Sequence, residues 1–249
     1  MCGKRKFYIP VLLVCQLVQT IAQGLPTDLP PLTGCRQLVL VVSPNDTSVH
    51  ARLACYSLEG QGWASAGIRT PVVLGRTGLA WGAGKHPVVA GRKKAEGDGK
   101  SPAGVFALGP VFGRAADGQR RFRMPYLPLT EQLECVDDPA SGHYNRLVSR
   151  GAVTPDWNSS EHMAAVGPQY DWGLFVHHNV PASPSGGSCI FLHVWGGATE
   201  PTAGCTAMPE DDLLALLEWL DPDQSPRLVQ LTEESYARFR EEWSLPPIP

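Results

Sequence analysis

The chain has 249 residues, 43% apolar and 18% charged, which allows a sizeable core and excludes wholesale disorder. Its formal charge of −3 gives no electrostatic case for binding nucleic acid. With 26 glycines and 23 prolines, the composition favours turns and short strands over a helical bundle.

Residues 1–22 read as an export signal. Lys4, Arg5 and Lys6 precede an apolar run from Phe7 to Val18, and small residues then prepare cleavage after Ala22 or after Gly24. The run is too short to favour a permanent span, although an uncleaved anchor is the alternative. Cys15 as a lipid-anchor cysteine is disfavoured by the bulk of Val14. Export places the mature protein in the periplasm or cell envelope, with the membrane involved only before cleavage. Losing three basic residues leaves 18 basic against 24 acidic, a balance of −6. Residues 23–36 are Pro-rich and read as a linker.

Strands are predicted at Gln37 to Ser43 and Val49 to Leu58, joined by a turn at Pro44-Asn45-Asp46. Trp63 to Leu74 reads as further strand, with Pro71 marking an edge or break. Gly75 to Gly104 is predicted to be a surface loop, followed by a short strand at Val105 to Leu108. From Pro110 to Gln169 the pattern is weak and predicts loops with one short helix. Trp172 to Val176 and Cys189 to Trp195 are short, β-branched or aromatic runs suited to central strands. A helix is predicted from Pro209, with acids at its positive end and a leucine face, stopping at Pro222. Arg227 to Leu231 is a last strand, and Thr232 caps a helix over Glu233 to Trp243. The domain boundaries that follow are 37–231 for the main domain and 232–249 for a C-terminal helix and tail.

Removing the signal leaves five cysteines, Cys35, Cys55, Cys135, Cys189 and Cys205. An odd number in an oxidising compartment suggests one thiol kept free, against the alternative of five reduced, buried cysteines. Four cysteines allow three pairings among which the sequence does not choose; the working pairing is Cys35 with Cys55 and Cys135 with Cys189. Cys205 follows a Gly-containing turn and precedes the Pro209 helix, whose dipole would lower the pKa of a nearby thiol. Gly204 lets successive amides converge on a developing oxyanion. The competing reading of Cys205 is a half-cystine. His193 ends a predicted strand twelve positions earlier, and imidazole is the usual activator of a thiol in acyl transfer. Zinc at His177 or His178 with His193 and Cys205 is disfavoured, because adjacent strand residues face opposite ways. Gly97-Asp98-Gly99-Lys100-Ser101 fails as a nucleotide loop, since the position needing glycine is Lys94. Arg92, Lys93 and Lys94 read as a solvated basic loop.

These residues resemble the L,D-transpeptidase catalytic-domain family of bacterial cell-wall enzymes, over roughly Gln37 to Leu231. The resemblance rests on His193 followed by Thr202-Ala203-Gly204-Cys205, and on Ser101-Pro102-Ala103-Gly104-Val105-Phe106. Glu134-Cys135-Val136-Asp137-Asp138-Pro139, Tyr144-Asn145 and Gly187-Ser188-Cys189-Ile190-Phe191-Leu192-His193 are similar to its periplasmic branch. Two departures stand out. Ala207 replaces a common arginine, and the short His-to-Cys interval implies a trimmed loop over the site. The resemblance implies a mainly β fold with a few helices, built on a mixed sheet or sandwich, and no metal or organic cofactor. It implies Cys205 as nucleophile, His193 as proton donor and acceptor, Gly204 as oxyanion backbone, and Thr202, Ala203, His178 and Trp195 as substrate-binding residues. The implied partner is the peptide stem of peptidoglycan, with no nucleotide and no nucleic acid. An L,D-carboxypeptidase using the same site, or a silent wall-binding domain, are the alternatives.

Overall fold

The computed structural model describes residues 30–115 and 118–248; the predicted signal and residues 23–29 lie outside them. The strands run β1 (Gln37–Ser43), β2 (His50–Glu59), β3 (Gly62–Val73), β4 (Leu79–Trp81), β5 (Ser101–Gly113) and β6 (Tyr126–Pro128). They continue as β7 (Leu133–Val136), β8 (Leu147–Ser149), β9 (Ser160–His162), β10 (Trp172–His177), β11 (Phe191–Val194) and β12 (Thr206–Met208). Helix α1 (Glu210–Trp219), β13 (Arg227–Thr232) and α2 (Glu233–Phe239) complete the order.

The main sheet is mixed, and it closes. Its path runs β10-β11-β12-β3-β2-β1-β13-β5, and β10 pairs again with β5. β1 with β13 and β11 with β12 are parallel, while β1, β2 and β3 form an antiparallel meander. Strand β1 is buried throughout because both its faces are covered, which is why its centre, Leu38 to Val42, is an unbroken apolar run. Val39 and Val41 enter one core with Leu213, Leu216 and Leu217 of α1 and with Leu220 just after it. Leu38, Leu40 and Val42 enter a second, covered by Tyr236 and Phe239 of α2 and by Trp243, which stacks on Phe239 at 4.4 Å.

Both helices carry the signals that start them. Pro209 and three acids open α1, and the Thr232 hydroxyl accepts the Ser235 amide at α2. The second helix stops at Phe239, short of Trp243, and packs into the same core as β1. Residues 30–36 are likewise part of the body, since Leu32 and Cys35 are buried in that second core. The linker prediction therefore fails for this stretch.

The weakly patterned region forms a separate antiparallel sheet, β8-β7-β9, with short 3₁₀ turns where one helix is predicted. Strands of three or four residues are too short to show a period, and they are held by other means. Glu134, buried on β7, accepts from Arg150, Trp157 and Ser160, so one carboxylate ties three segments together. The small sheet covers a third core that includes Phe112, Tyr170, Phe191, Cys189 and Cys205.

One disulfide joins Cys135 of β7 to Cys189 before β11, across 54 positions. The other half of the working pairing is wrong. Cys35 and Cys55 are free, and they sit in different cores on opposite faces of the sheet. Burial pushes the Cys35 thiol up to about 11 and raises that of Cys55 further. A loop of this length implies about 4 kcal/mol of disulfide stabilisation by unfolded-chain entropy. Replacing Cys135 and Cys189 together with serine should lower unfolding free energy by about 2–4 kcal/mol in a urea titration. The Cys35→Ser variant should show no loss attributable to a broken cross-link, its mass differing from wild type by the substitution alone.

Candidate active site

Cys205 lies immediately before β12, and its thiol is free. Its backbone is clamped rather than loose. The Cys205 carbonyl accepts the Thr202 hydroxyl at 2.6 Å and the Ser101 hydroxyl at 2.9 Å. Ser101 in turn accepts the Gly75 amide, and Thr202 is pinned by its own amide to the Leu74 carbonyl, both at 2.9 Å. This explains why Ser101-Pro102 at the start of β5 and Thr202 belong to one pattern: two hydroxyls from distant segments hold one peptide group. Gln230 extends the clamp, accepting from Thr206 and donating to the Pro102 carbonyl.

His193 lies on β11, parallel to β12, in register with Ala207. Side chains alternate along strands, so His193 shares a face with Phe191 and with the Cys205 position across from it. Its Nδ1 is 2.7 Å from the Val194 carbonyl. A carbonyl only accepts, so Nδ1 carries the proton and Nε2 keeps a lone pair. Burial lowers the His193 pKa, against the raising effect of that bond, so the ring is neutral at physiological pH.

The sulfur is also buried. It accepts the Phe191 amide at 3.3 Å and directs its proton to the Cys189 carbonyl at 3.6 Å. The Tyr170 hydroxyl stands beside it, and the Tyr170 ring packs against His193 at 5.3 Å. Among the described residues, His193 makes no hydrogen bond to the thiol. Burial pushes the Cys205 pKa far up, with the Glu161 carboxylate adding to the rise. The expected lowering by the helix dipole does not prevail: β12 lies between Cys205 and α1, and burial dominates the thiol's pKa.

A cleft of about 160 Å³ opens onto Cys205, Gly204 and Ala203. Its walls also include Arg76, Lys94, Glu96, Asp137, Glu161 and Ser188. The Gly204 amide donates to Thr202 Oγ1 at 3.1 Å. Two predicted contacts lie elsewhere. His178 is a core residue, donating from Nε2 to the Gly186 carbonyl and packed edge-on against Phe106, with burial lowering its pKa to about 4. Trp195 gives its amide to the Met208 carbonyl and lies outside the cleft walls. Lys94, expected to be solvated, is 7% exposed and paired with Asp98 at 2.7 Å. That carboxylate also takes the Ala95 and Lys100 amides, so the Gly-rich 97–101 segment satisfies itself.

The sequence gives no pattern by which Glu161 and Tyr170 could be found, since both lie in the region without periodicity. Tyr170 donates to or accepts from Glu161 at 2.7 Å. Burial raises the Glu161 pKa to about 7, with Asp137 and Glu96 nearby adding to the rise. Asn145, inside the Tyr144-Asn145 phrase, braces the same wall. Its amide group donates to the carbonyls of His178 and Asn179, and its oxygen accepts the Cys189 amide.

A closed mixed sheet that presents a free thiol and a neutral imidazole on neighbouring strands defines a cysteine–histidine domain of mainly β type. The chain belongs to the YkuD family, matching the L,D-transpeptidase catalytic domain over residues 68–229, a family of peptidoglycan-modifying enzymes. No curated protein matches the chain. Among solved structures it is similar to the helical cell shape determining protein Pgp2 from Campylobacter jejuni, at 16% identity and a TM-score of 0.38. That match covers 80% of this chain and 47% of the other, so this chain spans about half the length of that protein.

Two outcomes test the site's construction. Thr202→Val removes both hydroxyl contacts and should cost about 1–2 kcal/mol of stability, read by denaturant titration. Glu161→Gln bears on pH. A carboxyl whose folded pKa is raised holds its proton more tightly when folded, so its contribution falls as pH rises from the ordinary value toward 7. The variant should be more stable than wild type at pH 8 and similar to it at pH 4, by thermal unfolding.

Proposed function

We propose that the protein is an exported peptidoglycan L,D-transpeptidase with Cys205 as nucleophile and His193 as proton carrier. The single observation that carries the reading is a free thiol in a doubly clamped peptide, two register positions along from a neutral, tautomer-fixed histidine. The thiol is protonated at rest, so a base must act during attack; a preformed thiolate–imidazolium pair is not what this burial favours.

In the proposed reaction, Cys205 Sγ attacks the carbonyl of the third residue in a tetrapeptide stem. The sulfur–carbon bond forms as His193 Nε2 takes the thiol proton. The amide carbon–nitrogen bond then breaks, and the same proton goes to the departing D-alanine. An amine of a second stem then attacks the thioester carbonyl and gives a proton to Nε2; the new carbon–nitrogen bond forms, the carbon–sulfur bond breaks, and Nε2 returns the proton to sulfur. The Cys205 amide is assigned to the oxyanion, with the Gly204 amide joining it on leaving Thr202 Oγ1. Thr202 and Ala203 shape the acyl side of the cleft. Export rests on the Lys4 to Ala22 pattern and on the location of the family's substrate; among the described residues no helix is long and apolar enough to cross a membrane.

Incubated with tetrapeptide muropeptides, the wild-type protein should release D-alanine and form cross-linked dimers. Cys205→Ala should reduce both by at least the ~10⁴-fold expected on losing a covalent nucleophile. Cross-linking retained by that variant would remove the assignment, and tripeptide monomers without dimers would replace it with the carboxypeptidase. Because the thiol is buried and protonated, iodoacetamide should label Cys205 more slowly than a free cysteine at neutral pH, as read by peptide mass spectrometry.

A further inference from the structure

The groups closest to the resting thiol point to a second path for its proton, one that rests on Cys205 being the nucleophile. Tyr170 stands between two acids of different kinds. Its hydroxyl is 2.7 Å from Glu161 on one side and beside Cys205 Sγ on the other. All three are held in one packed cluster or its edge, with the Tyr170 ring locked among Phe112, Phe191 and His193 at 5.3–5.5 Å. The placement of Glu161 is equally determined. It lies on β9 in register with Cys135, whose disulfide partner Cys189 offers its carbonyl to the thiol. Two struts therefore set the distance between carboxylate and sulfur.

A tyrosine hydroxyl has one proton and two lone pairs, so it cannot donate to both neighbours at once. With Glu161 ionised, Tyr170 donates to the carboxylate, and its oxygen is open to the thiol proton once that proton turns from the Cys189 carbonyl. With Glu161 protonated, the carboxyl donates to Tyr170, and Tyr170 donates to sulfur. The two arrangements differ by one proton moved from Cys205 to Glu161.

We propose that Tyr170 relays the Cys205 proton to Glu161. The S–H bond breaks as a bond forms to the Tyr170 oxygen, and the original Tyr170 proton passes to Glu161 Oε2. Tyr170 ends neutral, the charge moves from carboxylate to sulfur, and no other reactant is required. Tyr170 touches the reacting atom and is catalytic; Glu161 acts through it and is a positioning residue. A carboxyl raised to about 7 lies closer in pKa to the thiol than one at the ordinary value, so the proton moves less steeply uphill. The charged groups facing Glu161 are Asp137 after β7 and Glu96 in the loop before β5, with Lys94 and Arg76 on the cleft walls and Cys205 across Tyr170. His193 then serves mainly the later steps, protonating the leaving amine and deprotonating the acceptor.

The test separates the relay from simple repulsion by the sign of one effect. A carboxylate that only repels a thiolate raises the thiol's pKa, so Glu161→Gln should speed alkylation of Cys205. A carboxylate that accepts the proton should, when replaced, slow it. We expect Glu161→Gln and Tyr170→Phe each to slow iodoacetamide labelling of Cys205 above pH 7, on the order of 10²-fold. Glu161→Asp should recover part of the loss, and thermal unfolding should show each variant folded. The acid limb of kcat/KM, with a midpoint near 7 in wild type, should move to lower pH in Glu161→Gln, where the depressed His193 pKa governs. Faster or unchanged labelling in Glu161→Gln and Tyr170→Phe overturns the relay. Labelling needs no peptidoglycan, so a protein that alkylates as expected but forms no dimer or tripeptide leaves the relay standing and removes the transpeptidase.

Discussion

Taking the Cys205 sulfur out of water sets the terms for everything around it. A thiol in contact with bulk solvent ionises without help near its ordinary pKa. One packed under Phe191, Tyr170 and the Cys189 carbonyl does not, because the charged form has lost its hydration. The cleft adds to that cost, since Glu161 raises the thiol pKa and the ammonium of Lys94, which lowers it, is already paired with Asp98. In the proposed reaction a neutral resting thiol needs a base, and the neutral His193 with its fixed tautomer shares the sheet face with it. The same burial keeps the sulfur away from oxidants in the solvent.

The disulfide gives that arrangement its depth. Without the β8-β7-β9 sheet, the outer face of β10 and β11 would expose Phe175, Phe191 and Cys205 to solvent. The small sheet is too short-stranded to be stable alone. Cys135–Cys189 fastens it at the point where Cys135 is in register with Glu161 and where the Cys189 carbonyl meets the Cys205 thiol. Glu134 and Asn145 then brace the cover from both sides. Backbone geometry records the demand: Asn145 and Cys189 both have positive φ, 60° and 53°, a conformation that non-glycine residues adopt at a cost of about 1–3 kcal/mol. The hydrogen bonds of Asn145 are what hold both residues there. Half-buried Glu161, its carboxyl raised by desolvation, adds to the same account, a destabilised group kept in the cleft wall.

The elements with strong periodicity were legible and the cover was not. Leu38 to Val42 reads as strand because a run apolar at every position needs two covered faces, and β1 has them. Pro209 with three acids, and Thr232 before two more, mark helix starts through orphan amides and dipoles that act locally. β12 was hidden, since three residues between a turn and a helix carry no period of their own. Among the site residues, Cys205 and His193 stood out through their chain context and resemblance. Ser101 was visible only as part of a phrase, its bond to the Cys205 carbonyl spanning 104 positions. Tyr170 and Glu161 are positioned by a disulfide and a packed aromatic cluster, which no local pattern encodes. The disulfide guess failed for Cys35 and Cys55 for the same reason: which face of a sheet a cysteine occupies depends on strand register.

The departure at Ala207 bears on how charge is distributed here. Ala207 is fully buried, in register with His193 on one side and Val73 on the other. A long cationic side chain in that position would have to desolvate its charge or displace the neighbouring strand. The closed sheet thus excludes a positive charge from the imidazole's own face and leaves Arg76, which is exposed, as the cleft's outer cation. A cation beside Cys205 would lower the thiol pKa and reduce the need for a base. Its exclusion keeps the thiol neutral until something in the site takes the proton, and keeps His193 free of a neighbour that would depress its pKa further.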